Sequence, residues 1–419
     1  MNSPERERAG NALRIWLAIL ATVMVVGLVA AAVVFRRGLV VTNLNDLVPW
    51  GLWITVDLSS IALSGGAFSL CAGVYLLGLK RYQPLARTAT FVGLIGYSMA
   101  VMTLLLDVGR PDRFWHPLVF WNPHSVLWEV TMCVVLYMGV LSLETLPLLG
   151  EAEWFRGRWP RLAGRLHSVH GLAPYLAVAG LGLSMLHQSS LGATYGVLQS
   201  RPIWYRPGLA VLFIVSAIAG GIALTLLATM LVGRLRQESE VRDRIVEPVA
   251  QFVGWVLVIY LYLRFWDLFA MTYTHQPGRD EALALLTRGP LSFNFWILEF
   301  LLGILVPVIL LLRQRTRRRR WVRMVALALV VLGVIAYRWD TTLVGQLVVT
   351  NYLPASAQTI YADYQPSLIE YLTTAGVVAY GLLAFTLGVQ YLNVVDHRGA
   401  VGEEHEPGEA GALVAAGAD

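Results

Sequence analysis

Five ionisable side chains lie inside or at the ends of otherwise apolar segments. They are Asp57, Asp107, Arg110, Glu129 and His187. Carboxylates and an imidazole can exchange protons with a bound ligand, and a guanidinium can stabilise a developing negative charge. An ionisable group within a bilayer costs about 3 kcal/mol or more, so such residues usually mark a ligand site, a transport pathway or a partnered pair. Their position toward one face of the membrane predicts a functional site.

The segments that carry these residues are long and apolar enough to cross a bilayer. Of 419 residues, 57% are hydrophobic and 14% charged, whereas soluble domains are roughly 25% charged. A spanning helix needs ~20 mostly apolar residues. The sequence therefore predicts an all-α integral membrane protein with about ten spans, at 12–35, 53–79, 88–107, 124–149, 167–187, 208–233, 247–270, 293–312, 321–339 and 368–392. The transmembrane domain covers 1–396, and the acidic, Gly/Ala-rich residues 397–419 are expected to form a disordered cytoplasmic tail.

Charge and cysteine usage narrow the class of protein further. The net charge is +5, but the arginines collect in alternate loops, most densely between Arg313 and Arg323. By the positive-inside rule these loops and both termini are cytoplasmic. The basic charge therefore predicts contact with a lipid bilayer and no nucleic-acid partner. Cys71 and Cys133 fall within spans and are expected to be small buried residues without a metal or disulfide role.

The candidate residues differ in how deep they are expected to lie in the membrane. Asp57 lies seven residues past Trp50, ~10 Å into the second span, and Glu129 is about one turn inside the fourth. His187 closes the fifth span, and an unperturbed histidine side chain titrates near neutral pH, which would suit proton exchange. Asp107 and Arg110 are three residues apart and are expected to pair if the helix continues that far. In that case the pair explains Arg110 without a ligand.

A second polar set is expected near the same face. It comprises Arg264, Asp267, Glu299, Arg338 and Asp340. A charge near a helix end costs little free energy because it can reach water, so Arg338 and Asp340 are interpreted as structural. Most tryptophans and tyrosines are expected in interfacial belts, although Trp50 could stack on an aromatic ligand. The stretch 340–367 is a long outer loop suited to docking a partner.

Four strings resemble, in the same order, the NrfD/polysulfide-reductase membrane-subunit family. The resemblance is closest to the ten-span membrane subunit of hydrogenase-2-type complexes. The strings are Pro49 to Ile54 with Asp57, Leu106 to Arg110, Asn122 to Glu129, and Met185 to Ser190. The resemblance implies two four-helix bundles with flanking helices. It also implies a quinone or quinol site near the outer surface of a bacterial cytoplasmic (inner) membrane.

The resemblance also implies partners and residue roles. The chain would be a membrane-anchoring subunit that is not catalytic alone. It would exchange electrons between menaquinone or ubiquinone and a periplasmic iron–sulfur subunit, which works with a catalytic subunit. A hydrogenase is the first candidate for that catalytic subunit. No haem or iron–sulfur cluster is expected in this chain. Proton exchange would fall to Asp57, Glu129 and His187. Cofactor binding would fall to Trp50, Asp107, Arg110, Asn122, Ser125, Gln188 and Ser189.

Two other classes of protein compete with this interpretation. A b-type cytochrome needs two histidines facing each other at matched depth, but His167 and His170 lie at the opposite end of the fifth span from His187. A secondary transporter commonly places its site at the midplane between inverted repeats, whereas these polar groups cluster toward one face. The donor enzyme, the quinone type, the direction of turnover and proton pumping stay open.

Overall fold

The computed structural model describes residues 3–235, 240–353, 356–392 and 394. Within these residues, nine helices are long and apolar enough to span a membrane, and the bent pair Pro160–Ser168 and Ala173–Gly196 provides a tenth. The predicted all-α membrane fold with about ten spans is confirmed. The predicted disordered tail, 397–419, lies outside the described residues.

We number the spanning helices α1 to α10 in chain order. They are α1 (Ser3–Arg37), α2 (Leu52–Tyr75), α3 (Gln83–Asp107), α4 (Val126–Glu151), α5 (Ala173–Gly196), α6 (Gly208–Leu235), α7 (Glu240–Tyr273), α8 (π-helical Asn294–Leu305 continued by Val306–Leu312), α9 (Arg320–Leu347) and α10 (Leu368–Tyr391). Short helices in the connections include His116–Val119, Glu153–Arg158, Arg279–Thr287 and Gln314–Arg317.

The helices form two bundles of four. Helices α2 to α5 pack together, as do α6 to α9, and α2 contacts both α6 and α9 across the bundle interface. The flanking helices α1 and α10 pack against each other, and α10 also lies along α3. This arrangement agrees with the two bundles and flanking helices implied by the family resemblance.

A β-hairpin follows α9 where a long loop was expected. Strand β1 (Val348–Leu353) pairs antiparallel with β2 (Ser356–Tyr361), with Val348 opposite Tyr361. The Thr350 N–H donates to the Ser200 carbonyl over 2.9 Å, which holds the base of the hairpin on the bundle. We call the membrane face that carries this hairpin the hairpin face. The opposite face carries the Arg313–Arg323 segment and is called the arginine-rich face.

Two predicted helix ends were wrong because polar residues continue the helices. Helix α5 was expected to end at residue 187 and extends to Gly196, while α9 was expected to end at 339 and extends to Leu347. The hydroxyls of Thr194 and Thr342 donate to carbonyls four residues earlier in their own helices. Such side chains need no water, so they do not mark a membrane boundary. His187 therefore lies nine residues, ~13 Å, before the end of α5.

The two bundles meet at a glycine contact between α2 and α6. A Cβ atom added at Gly66 would lie only 2.1 Å from the Gly221 carbonyl carbon. Small residues let helix backbones approach closely in membranes. The absence of side chains at Gly66 and Gly221 therefore permits the close contact of α2 with α6.

Replacing Gly66 by Ala should separate these helices and lower the stability of the protein. The new methyl group overlaps backbone rather than a flexible side chain, and overpacking of this kind costs about 1–3 kcal/mol. Thermal unfolding of the purified protein in detergent measures the change. Gly73→Ala is the matched control, because on the same helix its nearest atom would lie 4.0 Å away. Equal unfolding midpoints for the two variants would contradict the role of Gly66.

Candidate ligand site at the hairpin face

His187 occupies the interior of the first bundle. It is fully buried, and its Nδ1 lies 2.7 Å from the Tyr97 hydroxyl of α3. When the Tyr97 hydroxyl donates to Nδ1, the neutral imidazole carries its proton on Nε2. Nε2 is buried and has no hydrogen-bond partner among the described residues. In this tautomer the imidazole presents an N–H donor at Nε2.

Two carboxyl groups with unpartnered oxygens accompany His187. Asp57 of α2 is buried and Asp107 of α3 is half-buried, and each leaves a buried Oδ1 without a hydrogen-bond partner in the described chain. Asp57 interacts electrostatically with Asp107 and with Tyr97. Tyr97 is therefore hydrogen-bonded to His187 and lies within electrostatic range of Asp57. Buried polar atoms are normally satisfied, so three unpartnered atoms in one region indicate a place for a ligand.

The segment before α2 is held rigidly over this region. Gln346 of α9 accepts from the Trp50 N–H (2.9 Å) and donates to the Trp50 carbonyl (2.6 Å). Tyr364 accepts from the Leu52 N–H, and its hydroxyl would lie 2.1 Å from a Cβ atom at Gly51. Position 51 in the Pro49-Trp50-Gly51 string thus needs glycine, because any side chain there would collide with the Tyr364 hydroxyl. Burial raises the pKa of Tyr364, with the neighbouring Glu370 adding to the effect.

Aromatic rings line the same end of the bundle. The Trp50 ring lies 5.6 Å from that of Tyr195 and 5.9 Å from that of Trp204. Tyr195 and Trp204 are buried, with their centroids 4.4 Å apart. Such edge and tilted contacts fix the ring orientations. They build an apolar wall beside Asp57, which interacts electrostatically with Tyr195.

Gln188 links the first bundle to a buried arginine in the second. Its amide donates to the Ile61 carbonyl of α2 over 3.1 Å and accepts from Arg338 of α9 over 3.4 Å. Arg338 is fully buried, also donates to Phe213 and Ser216, and stacks 3.6 Å from the Phe213 ring centroid. Arg338 takes part in none of the ion pairs found among the described residues. Arg338 was expected near a helix end with access to water, and this expectation is wrong because the residue is buried and α9 continues past it.

The second bundle contains a compensated network of charges. Arg264 donates to Glu299 (2.8 Å) and to Asp267 (2.9 Å), and Asp267 also accepts from Arg206 (2.7 Å). Glu299 and Arg264 are at most 2% exposed. Asp340 accepts from Asn294 over 2.7 Å. These contacts satisfy two acids with two arginines and indicate a structural core rather than an open site.

The remaining predicted site residues lie closer to the surface. Glu129 is half-buried near Cys133, and none of the hydrogen bonds or ion pairs formed among the described residues joins it to the Asp57 or His187 groups. Asn122 is exposed, and its carbonyl accepts from the Ser125 N–H. The Ser125 hydroxyl caps α4 by accepting from the Trp128 N–H. The Ser189 hydroxyl donates to a carbonyl of its own helix.

The expected Asp107–Arg110 pair does not form. Helix α3 ends at Asp107, and Gly109 turns the chain away with a φ of 71°. Arg110 is exposed and donates to both carboxylate oxygens of Asp112 over 3.2 Å. That hydrogen bonding raises the pKa of Arg110 and lowers the pKa of Asp112. The spacing rule failed because the helix stops before its next turn.

Sequence reasoning missed Tyr97 altogether. Tyrosines were assigned to interfacial belts, yet Tyr97, Tyr137, Tyr195, Tyr260 and Tyr337 are all buried within the bundles. The available signal was position, because Tyr97 lies near the middle of its helix rather than at an end. A tyrosine at that depth needs a partner for its hydroxyl, and here the partner is His187.

The fold is that of a polytopic membrane protein with buried polar atoms, unpartnered among the described residues, inside its first four-helix bundle. The family model described as polysulphide reductase, NrfD, matches residues 40–350. The chain belongs to this family.

Curated relatives extend over almost the whole chain. The integral membrane subunit of menaquinone reductase from Nitratidesulfovibrio vulgaris is 30% identical, over 90% of this chain and 91% of the relative. The integral membrane subunit of an Hdr-like menaquinol oxidoreductase from Archaeoglobus fulgidus is 26% identical, over 91% and 93%. A probable Ni/Fe-hydrogenase 2 b-type cytochrome subunit from Escherichia coli is 29% identical, over 88% of each.

The histidines of the described chain do not fit bis-histidine haem ligation. Among the described residues, His187 lies within α1 to α10, whereas the other histidines lie in connections: His116, His124, His167, His170 and His275. Its Nδ1 faces the Tyr97 hydroxyl. Among the described residues, no group of three or more His, Cys, Asp or Glu side chains could hold a metal ion.

Replacing Glu299 by Gln should destabilise the second bundle. Arg264 keeps Asp267 but loses the charge of its second partner, and breaking a buried ion pair costs about 3–5 kcal/mol. The fall in thermal unfolding midpoint in detergent measures this effect. Glu153→Gln is the control, because Glu153 is exposed and lies in a short surface helix. An E299Q midpoint equal to that of E153Q would show that the network contributes little.

Proposed function

We propose that this chain is the membrane-anchoring, quinone- or quinol-binding subunit of a respiratory oxidoreductase complex. It would exchange electrons between the membrane quinone pool and an iron–sulfur subunit docked on the hairpin face. Membership of the family supports this proposal, as does the similarity to a membrane subunit of menaquinone reductase. The chain alone would not turn over a substrate, because its electrons come from the partner.

The observation that carries the proposal is the set of unpartnered buried atoms around His187. Reduction of a quinone needs two protons as well as two electrons at one place. We assign His187 Nε2–H to one quinone oxygen as a donor, with Tyr97 relaying the proton at Nδ1. The Asp57 carboxyl is assigned to the proton exchange of the other oxygen. The apolar wall of Trp50 and Tyr195 would hold the ring and exclude water.

The other predicted residues receive supporting roles in this proposal. Gln188 orients α5 through Ile61 and Arg338 and thereby sets the position of His187. Asp107 lies beside Asp57 as a second proton acceptor. Glu129 is assigned to proton exchange nearer the surface. Arg110 with Asp112, and Asn122, Ser125 and Ser189, are assigned to the entrance of the site.

Orientation follows from the distribution of arginines. The loops at the arginine-rich face include Arg156, Arg158, Arg161, Arg165 and the Arg313–Arg323 segment. By the positive-inside rule we propose that this face is cytoplasmic. The hairpin face would then be periplasmic in a bacterial inner membrane, with both termini in the cytoplasm. The exposed end of the hairpin, with Tyr352 and Leu353, would contribute to the partner surface.

Replacing His187 by Leu should lower quinone-dependent turnover of the purified complex by roughly 10²-fold or more, because a positioned proton donor contributes 10²–10⁴-fold. Tyr97→Phe should give a smaller loss in the same direction. Tyr380→Phe is the matched control, since the Tyr380 hydroxyl makes a comparable interhelical contact with Ser98 of α3, 3.0 Å away. Donor oxidation by an artificial acceptor should be unchanged in all three variants. Wild-type quinone turnover in H187L would refute the assignment.

Gentle purification followed by mass spectrometry should recover an iron–sulfur subunit and a catalytic subunit with this chain. A nickel–iron large subunit is the expected donor, and a molybdopterin protein or a multihaem cytochrome would redirect the proposal to another donor. Recovery of the chain without redox partners would contradict the proposal. A reduced-haem absorbance band that follows the isolated chain would instead support a b-type cytochrome, as the Escherichia coli relative is named.

A further inference from the structure

A pocket of about 470 Å³ lies between α6 and α7 in the second bundle, at the hairpin face. One end is polar, with Arg206, Asp267 and Arg279. The opposite wall is apolar and includes Leu212, Leu263, Trp266 and Ala270. None of these residues takes part in the proposed quinone site, which lies in the first bundle. The pocket therefore needs its own explanation.

The polar end carries two arginines and one carboxylate, and Arg279 takes part in none of the ion pairs found among the described residues. Asp267 is already shared between Arg206 and Arg264. The Nη1 atom of Arg206 is buried and has no hydrogen-bond partner among the described residues. Arg279 donates to the carbonyls of Pro202 (3.0 Å) and Tyr205 (2.8 Å) and to the amide of Gln276 (2.5 Å). None of these acceptors is a carboxylate.

The two guanidinium groups act on each other electrostatically. Burial lowers the pKa of Arg279, and the positive charge of Arg206 adds to that effect. An anion between them would relieve the repulsion and satisfy the free N–H groups of Arg206. Arginine matches phosphate oxygens geometrically and forms strong charge-assisted hydrogen bonds with them.

The apolar wall indicates that the anion carries hydrocarbon chains. Trp266 is 48% exposed and Val211 is 49% exposed, so both present apolar surface at the mouth of the pocket on the bilayer side. Asp267 lies six residues, ~9 Å, before the end of α7, which places the polar end close to the interface. Basic pockets between spanning helices typically take anionic lipid headgroups.

We propose that this pocket binds an anionic phospholipid, with its phosphate at Arg206 and Arg279 and its acyl chains along Leu263 and Trp266. A quinone fits less well. Its reduction needs a group that exchanges protons, and the one carboxylate in the pocket, Asp267, is held by two arginines. A neutral carbonyl would also leave the positive charge unbalanced.

Filling the pocket tests this proposal without changing its charges. Ala270→Trp places an indole in the pocket from an exposed position of α7, and Ile259→Trp adds the same group on that helix outside the pocket. Native mass spectrometry of the intact complex in mild detergent measures retained phospholipid. We expect phosphatidylglycerol retention to fall about tenfold or more in A270W, equivalent to 1.4 kcal/mol or more, and to be unchanged in I259W.

A second measurement separates the sources of phosphate. Added phosphatidylglycerol should raise the thermal unfolding midpoint of the wild-type complex more than phosphatidylcholine or inorganic phosphate does, and this difference should disappear in A270W. Equal stabilisation by inorganic phosphate would overturn the lipid assignment. Equal lipid retention by A270W and I259W would overturn the site. Loss of bound quinone rather than phospholipid from A270W would favour a second quinone site instead.

Discussion

A polar side chain in the bilayer must find its partners inside the protein, because lipid offers none. Gln188 meets this constraint by joining three helices, donating to Ile61 of α2 and accepting from Arg338 of α9 while it belongs to α5. The contact ties the two bundles together directly beside His187. The close approach of Gly66 and Gly221 allows the same bundles to meet. The geometry of the candidate site therefore depends on how the bundles are joined.

Buried charge around Arg264 in the second bundle is compensated differently from buried polar groups around His187 in the first. In the second bundle, Arg264 and Arg206 compensate Glu299 and Asp267 through short hydrogen bonds. In the first bundle, Asp57 and His187 keep atoms without partners. An unsatisfied buried group costs about 1–3 kcal/mol, so a ligand that supplies the missing hydrogen bonds would gain that energy on binding. Arg206 Nη1 in the second bundle is also unpartnered among the described residues and lies at the pocket between α6 and α7, so unpartnered buried atoms accompany both proposed ligand sites, whereas the Arg264–Glu299 pair is structural.

The shape of α8 positions two polar side chains inside the second bundle. Its first part, Asn294–Leu305, is π-helical and carries Glu299 and Asn294. π-helical turns are rare and are found mostly at functional positions. Here the wide turns carry two side chains that bond to α7 and α9, respectively, through Arg264 and Asp340. The same network positions Asp267 at the polar end of the pocket between α6 and α7, so the core and the proposed lipid site share one acid.

Much of this protein follows from its sequence alone. The long apolar runs predict about ten membrane-spanning helices, because a helix satisfies its backbone groups within its own segment and barrel strands would alternate in polarity. Because successive spans cross the membrane in opposite directions, the sequence also places Asp57, Asp107 and His187 toward one face. The sequence could not determine the helix ends, since Thr194 and Thr342 satisfy their hydroxyls within their own helices. Nor could it determine the partners, because Tyr97 with His187, Arg110 with Asp112 and Gln188 with Arg338 depend on how helices pack and end. The presence of a span is a local property of the chain, whereas hydrogen-bond partners across helices exist only in the tertiary structure.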